Sequence, residues 1–288
     1  GIDFYVVEAD EYDRSFLQLF PTHAAITTMD ADHMEIYDSL EGIEQGFTAF
    51  AKQVKNTLLV SYGLPLSNLT YGFEANASYS IPSFKPHNEG YLFDVVTPEG
   101  EEKALYFNQI GKHNLVNALC AISLAHLEGV SFESIRKGLA SFPGIERRMN
   151  QYQLDDLLLI DDYAHHPVEL KAVLKTIKST YPKRKNGIVF QPHLFSRTRD
   201  FMCDCASVLS EFDEVILLDI YPARELPIEG VTSDNLLNLI TNPNKKKVQK
   251  VDLLSAIEES KADLLVMAGA GDIGLEVQKI LMQLNPTT

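Results

Sequence analysis

The spacing of apolar positions divides the chain into two halves of different character. In the second half, short apolar runs occur at Leu157–Ile160, Gly187–Phe190, Val215–Leu218, Val248–Val251 and Leu264–Ala268. Stretches with helical spacing follow them, at Pro167–Thr180, Thr198–Phe212, Ser233–Ile240, Asp252–Ser260 and Ile273–Leu284. Val-, Ile- and Leu-rich runs alternating with helices predict a parallel sheet covered on both faces. The first half is mixed. Phe4–Val7, Ala24–Thr27 and Thr57–Val60 read as buried strands. Ser39–Val54 reads as a helix capped by Ser39, with Ile43, Phe47, Phe50 and Ala51 at helical spacing. Residues 69–107 are β-rich, with a hairpin turn at Pro98-Glu99-Gly100, and helices are expected at Asn114–Leu127 and Phe132–Phe142. Pro143-Gly144 then interrupts the pattern. The expected class is α/β in two domains, residues 1–146 and 147–288.

Composition narrows the functional classes. A chain of 288 residues, 45% hydrophobic, can bury two cores. A net charge of −15 argues against nucleic-acid binding. Its one dense basic run, Lys245-Lys246-Lys247, reads as a turn beside Asn242-Pro243-Asn244. No apolar run approaches the roughly 20 residues of a membrane span, so membrane insertion is not expected. Three cysteines, Cys120, Cys203 and Cys205, fit a reducing, cytoplasmic setting better than a disulfide scaffold. Cys203 and Cys205, two apart on a helix, should diverge. The chain opens at Gly1 directly on an apolar run, which suggests a preceding segment.

Polar clusters fall where the strands end, the edge at which parallel sheets bind ligands. Glu8-Ala9-Asp10-Glu11-Tyr12-Asp13 concentrates carboxylates suited to a hard cation, or else forms a solvated acidic loop. Asp30, Asp32 and His33 follow the next expected strand, and the His leaves Mn²⁺ or Zn²⁺ open beside Mg²⁺. Gly111-Lys112-His113-Asn114 with Asn117 opens a helix, where Asn amides can read a purine edge or simply cap the helix. Arg147 and Arg148 lie in the linker, as a phosphate clamp or a solvated hinge. Asp161-Asp162-Tyr163-Ala164-His165-His166-Pro167 and Gln191-Pro192-His193 through Arg197-Thr198-Arg199 end successive strands, and together they suggest a polar pocket. Gly269, Gly271 and Gly274 match the dinucleotide fingerprint. A lone match without a second βαβ unit reads better as a tight turn whose N–H groups face the cleft.

In this order, the clusters resemble the Mur ligases of peptidoglycan synthesis along essentially the whole chain. The resemblance implies a mixed α/β, P-loop-type central domain that binds ATP, and a Rossmann-like C-terminal domain that binds the amino acid. It implies a ligase that joins L-alanine to UDP-N-acetylmuramate through an acyl phosphate. Glu8 and His33 would then hold Mg²⁺. His113, Asn114 and Asn117 would contact the nucleotide base region, and Arg148 and Asp162 its phosphates and ribose. Tyr163, His165, His193 and Arg197 would surround the amino acid and the reacting carboxyl. Three features depart from the family: the UDP-binding domain is absent, no G-x-x-x-x-G-K-[S/T] occurs, and Leu194 stands where a second Arg is expected. The chain alone is therefore expected to be inactive. The competing readings are a tripeptide-recycling ligase, a non-catalytic nucleotide-binding module and, on the glycines alone, a dinucleotide-dependent oxidoreductase.

Overall fold

The computed structural model describes residues 4–29, 37, 39–66, 68–88 and 90–284. The chain forms two compact units, residues 1–108 with 113–142, and residues 109–112 with 143–288.

In the first unit, strands β1 (His23–Ile26), β2 (Thr57–Ser61), β3 (Leu69–Gly72) and β4 (Tyr79–Ser80) pair in parallel. Strands β5 (Phe84–His87), β6 (Gly90–Thr97) and β7 (Gly100–Phe107) extend the same sheet antiparallel. The β6–β7 connection is the expected hairpin. Helices α1 (Leu40–Gln53), α2 (Lys112–Leu127) and α3 (Phe132–Ser141) complete the unit. Ser39 caps α1 by accepting from the Gly42 N–H at 3.1 Å, which satisfies one orphan donor of the first turn. Ile43 and Phe50 are buried, as their spacing indicated.

The expected strand at Phe4–Val7 does not form. These residues carry no regular structure and are exposed, with Val6 at 97%. Apolar β-branched sequence favours a pleated, half-buried surface, but a strand exists only where a neighbour pairs with it. Among the described residues the ladder partner of β1 is β2.

The second unit explains the apolar runs. It contains β8 (Asn150–Leu154), β9 (Leu157–Asp162), α4 (Pro167–Thr180), β10 (Asn186–Phe190), α5 (Phe195–Leu209), β11 (Glu214–Leu217), α6 (Ser233–Leu239), β12 (Lys245–Lys247), α7 (Leu253–Glu258), β13 (Leu264–Ala268) and α8 (Ile273–Leu284). The strand order is β12-β11-β10-β13-β9-β8, parallel except for β8 at one edge. Alternate residues feed opposite cores. Leu158, Ile160, Ile188, Phe190, Val215 and Leu217 pack with α4, α5 and α6. Leu159, Val189, Ile216, Leu265 and Met267 pack with α7 and α8. A strand buried on both faces loses the polar alternation of a half-exposed one, which is why the sequence shows unbroken apolar runs. The chain passes from β9 to β10 and later inserts β13 between them. That is the switch point at which such sheets leave a crevice at the strands' carboxyl ends.

Two expectations fail at the edge. Lys245-Lys246-Lys247 is not a turn but the edge strand β12, and Val248–Val251 is not a strand, with Val251 88% exposed. The lysine ammonium groups bond to neighbouring segments. Lys245 Nζ donates to the Leu237 carbonyl (2.8 Å) near the end of α6, and Lys247 Nζ lies 3.1 Å from Asp219 and 2.6 Å from Asp234. Charged side chains on an edge strand also oppose pairing with a second sheet. The β8 strand was not foreseen, because Asn150–Leu154 carries mostly polar residues.

Candidate active site

The carboxyl ends of β9, β10 and β13 build one polar edge in the second unit. At the end of β9, the Asp162 carboxylate is buried and accepts from the Met149 N–H (2.9 Å) and the Ala164 N–H (2.8 Å). It thus fixes both the linker and the turn that carries Tyr163. Burial pushes its pKa up to about 6, against the lowering effect of these two bonds and of Arg148. The next helix starts with a capping box. His166 Nδ1 accepts from Val168 N–H (3.3 Å), and Glu169 Oε2 accepts from His166 N–H (3.1 Å) and His165 N–H (2.9 Å). Pro167 sits in the first turn, where its missing N–H costs nothing.

A row of rings spans the edge. Tyr163 and His165 meet edge-on at 5.6 Å, His165 and His193 at 5.9 Å, and His193 stacks on Tyr221 at 5.7 Å. The His165 Nδ1 lies 3.0 Å from the Tyr163 carbonyl and 3.4 Å from Glu169 Oε2. Both are acceptors, so Nδ1 carries the hydrogen and Nε2 is the basic nitrogen. The His193 pKa is pushed down to about 4 by burial, then by the charges of His165 and Arg197. A neutral imidazole at neutral pH is the consequence. In an NMR titration of ring protons, His193 is expected to stay neutral down to about pH 4; a midpoint near the ordinary value of about 6.5 would contradict this.

His165, His193 and Arg197 border a small, half-open recess whose other walls include Phe190, Met202 and Leu236. Its lining thus combines polar and apolar side chains. Leu194 adopts φ 66°, ψ 138°, a conformation side chains disfavour, and gives α5 no side-chain cap. Glu225 supplies the cap instead. Its Oε2 accepts from the Ser196 N–H at 2.9 Å and its Oε1 from the Ser196 hydroxyl. Burial raises the Glu225 pKa, but these donors outweigh it and hold the carboxyl below its usual range. This cap explains why α5 begins at Phe195, three residues before the expected start. Glu225→Ala is expected to cost about 1–2 kcal/mol in the unfolding of this unit, measured in urea; an unchanged midpoint would contradict the capping role.

The chain's sequence-derived site residues thus fall as follows. Tyr163, His165, His193 and Arg197 come together, with Asp162 beneath them. Arg148 lies 4.0 Å from Glu169 and 5.9 Å from the Tyr163 ring centre. In the first unit, Asn114 and the exposed Asn117 stand three apart on α2, and His113 precedes them in its first turn. Glu8 is exposed on an extended segment, and His33 lies outside the described residues. Among the described residues no group of three His, Cys, Asp or Glu side chains is placed to hold a metal, so Glu8 alone does not complete a hard-cation site. Cys203 is exposed and Cys205 buried, diverging as expected. Tyr221 and Glu225 were missed, although they too follow a parallel strand, β11, in the polar stretch Asp219–Glu225.

Two family models match the chain, the Mur ligase middle domain over residues 1–125 and the Mur ligase glutamate ligase domain over residues 147–275. The UDP-N-acetylmuramate–L-alanine ligase of Christiangramia forsetii is 49% identical over 283 residues, covering 97% of this chain and 63% of that protein. The solved UDP-N-acetylmuramate-alanine ligase of Thermotoga maritima superposes with a TM-score of 0.80 at 22% identity, over 97% of this chain and 63% of that one. The Thermotoga maritima MurF ligase in complex with ADP gives a TM-score of 0.70 at 13% identity, over 94% of this chain and 64% of that one.

Proposed function

We propose that this chain, which belongs to the Mur ligase family, carries the nucleotide-handling and amino-acid-handling parts of a ligase joining L-alanine to UDP-N-acetylmuramate at the expense of ATP. The chain spans 63% of the length of the curated relative, so the activity proposed is that of the complete gene product. The observation that carries the reading is the recess bordered by His165, His193 and Arg197, with the Tyr163 ring edge-on to His165. In this reading ATP phosphorylates the lactyl carboxylate, and the amine of L-alanine attacks the acyl phosphate. A C–N bond forms, the C–O bond to phosphate breaks, and the amine loses a proton. Arg197 would hold the amino-acid carboxylate with its planar fork. His165, oriented by Glu169, would take the proton at Nε2. Neutral His193 adds no positive charge that would repel the incoming ammonium group.

Asn114 and Asn117, with His113, are proposed to contact the nucleotide base, and Arg148 its phosphates. Asp162 is proposed to serve the nucleotide by holding the Met149 and Ala164 backbone in place. Glu8 and His33 are proposed to hold the Mg²⁺ of Mg-ATP, which when bound would neutralise phosphate charge. A cytoplasmic setting follows from the nature of these substrates. The test supplies the complete gene product with Mg-ATP, UDP-N-acetylmuramate and, in turn, L-alanine, glycine, L-serine and a tripeptide, and identifies the amide product by mass spectrometry. Product formation is expected with L-alanine. Product only with the tripeptide would reassign the protein to peptide recycling, and product with none would leave a nucleotide-binding module without ligase activity.

A further inference from the structure

The G-x-G-x-x-G stretch after β13 is not used by the proposed ligase chemistry, and its surroundings explain why it exists. Each glycine admits a close neighbour from within the unit. A Cβ on Gly269 would lie 2.7 Å from the Gln191 carbonyl oxygen. One on Gly271 would lie 2.5 Å from Gln191 Oε1 and 2.7 Å from Tyr221 Cβ. One on Gly274 would lie 2.8 Å from Arg147 Nε and 2.9 Å from its guanidinium carbon. Two of the turn's N–H groups are engaged within the unit rather than open to a cleft, and the first of them, Gly269 N–H, donates to the Asp162 carbonyl at 3.3 Å. Ile273 N–H donates to Gln191 Oε1 at 3.0 Å. The Arg147 guanidinium donates to the carbonyls of Gly271 (3.3 Å) and Gly269, and lies 3.4 Å from the buried Asp161 carboxylate.

The same guanidinium stands 4.9 Å from the Tyr163 ring centre, and the Arg147 carbonyl accepts from the Tyr163 N–H at 2.7 Å. Arg147 itself takes a left-handed backbone, φ 58°, a strain that these contacts hold in place. We infer that Arg147 is a positioning residue that fills the glycine turn where a dinucleotide phosphate would otherwise approach, and clamps Tyr163 at the edge of the amino-acid recess. The second half of this inference rests on the ligase reading; the first half does not.

Two double-mutant cycles separate the halves. In thermal unfolding of the 288-residue chain, Gly274→Ala is expected to lower Tm by about 2–4 °C when Arg147 is present, because the new methyl meets the guanidinium. In the Arg147→Ala background the same change is expected to raise Tm, because alanine is the better helix former once the space is free. The same sign in both backgrounds would overturn the packing. In the complete gene product, Arg147→Ala and Tyr163→Ala are each expected to lower kcat/KM for the amino acid by about 10- to 100-fold. The double variant should lose no more than about twofold beyond the worse single one, and Arg147→Lys, lacking the planar fork, should not rescue. Additive losses, or an unchanged amino-acid KM in Arg147→Ala, would reduce Arg147 to a structural brace. Absence of turnover in the unmutated product would count against the ligase reading, while the unfolding cycle would still decide the packing.

Discussion

Arg197→Ala in the complete gene product is expected to lower kcat/KM for the amino acid by about 10²- to 10³-fold, with stability changed by no more than about 1 kcal/mol. Arg197 lies in the first turn of α5 and borders the recess opposite apolar walls. Its neighbours cannot stand in for it. Leu194 brings no charge, and Arg199 lies 2.7 Å from Asp200 and outside the recess. A carboxylate entering a recess walled by Phe190, Met202 and Leu236 loses water, and a planar fork restores two hydrogen bonds at once. Arg197→Lys keeps the charge without the fork, so an intermediate loss of about tenfold is expected. An amino-acid KM and kcat both within twofold of the unmutated enzyme would remove Arg197 from the site.

The second large effect is a pH dependence of stability set by Asp162. Its carboxyl is raised from the usual carboxylate range to about 6, with burial the dominant cause. In the folded chain it binds a proton more tightly than in the unfolded chain, so between about pH 4 and 6 the folded state holds more protons. Its contribution to stability is then present at low pH and falls as pH rises through this window, by about 2 kcal/mol. His193 acts in the opposite direction. Its folded pKa is lowered to about 4, so the unfolded state binds more protons between about pH 4 and 6.5, and its contribution rises with pH. The two slopes therefore oppose each other in the parent, and only a variant isolates the Asp162 part. Asp162→Asn removes the falling term. The stability difference between variant and parent, from urea unfolding of the second unit, should shift in the variant's favour by about 2 kcal/mol from pH 4 to 7. A difference that stays constant across that range would mean that Asp162 titrates at its ordinary value.

How much of this was legible in the sequence depended on where the determining interaction lies. Helices α4 and α8 were read to the residue, because Pro167 and the Ile273, Val277, Ile280 spacing act within each helix. The doubly covered sheet was legible because burial on both faces leaves unbroken runs such as Leu264–Ala268. Interactions between distant segments were not legible. The start of α5 depends on Glu225, 29 residues from the Ser196 it caps. The strand at Lys245–Lys247 exists because β11 pairs with it, whatever its composition. The glycine motif read as a tight turn, but its filling did not show, because Arg147 lies 124 residues away from Gly271. Tyr163, His165, His193 and Arg197 were visible because polar groups just past a buried parallel strand have few structural uses.

The ligase reading is tested most directly by following oxygen. The complete gene product is supplied with Mg-ATP, L-alanine and UDP-N-acetylmuramate carrying ¹⁸O in its lactyl carboxylate. Attack of that carboxylate on ATP, then of the amine on the acyl phosphate, transfers one labelled oxygen to each inorganic phosphate released, and the release depends on L-alanine. Phosphate formed at the same rate without label, or without need of L-alanine, would contradict it.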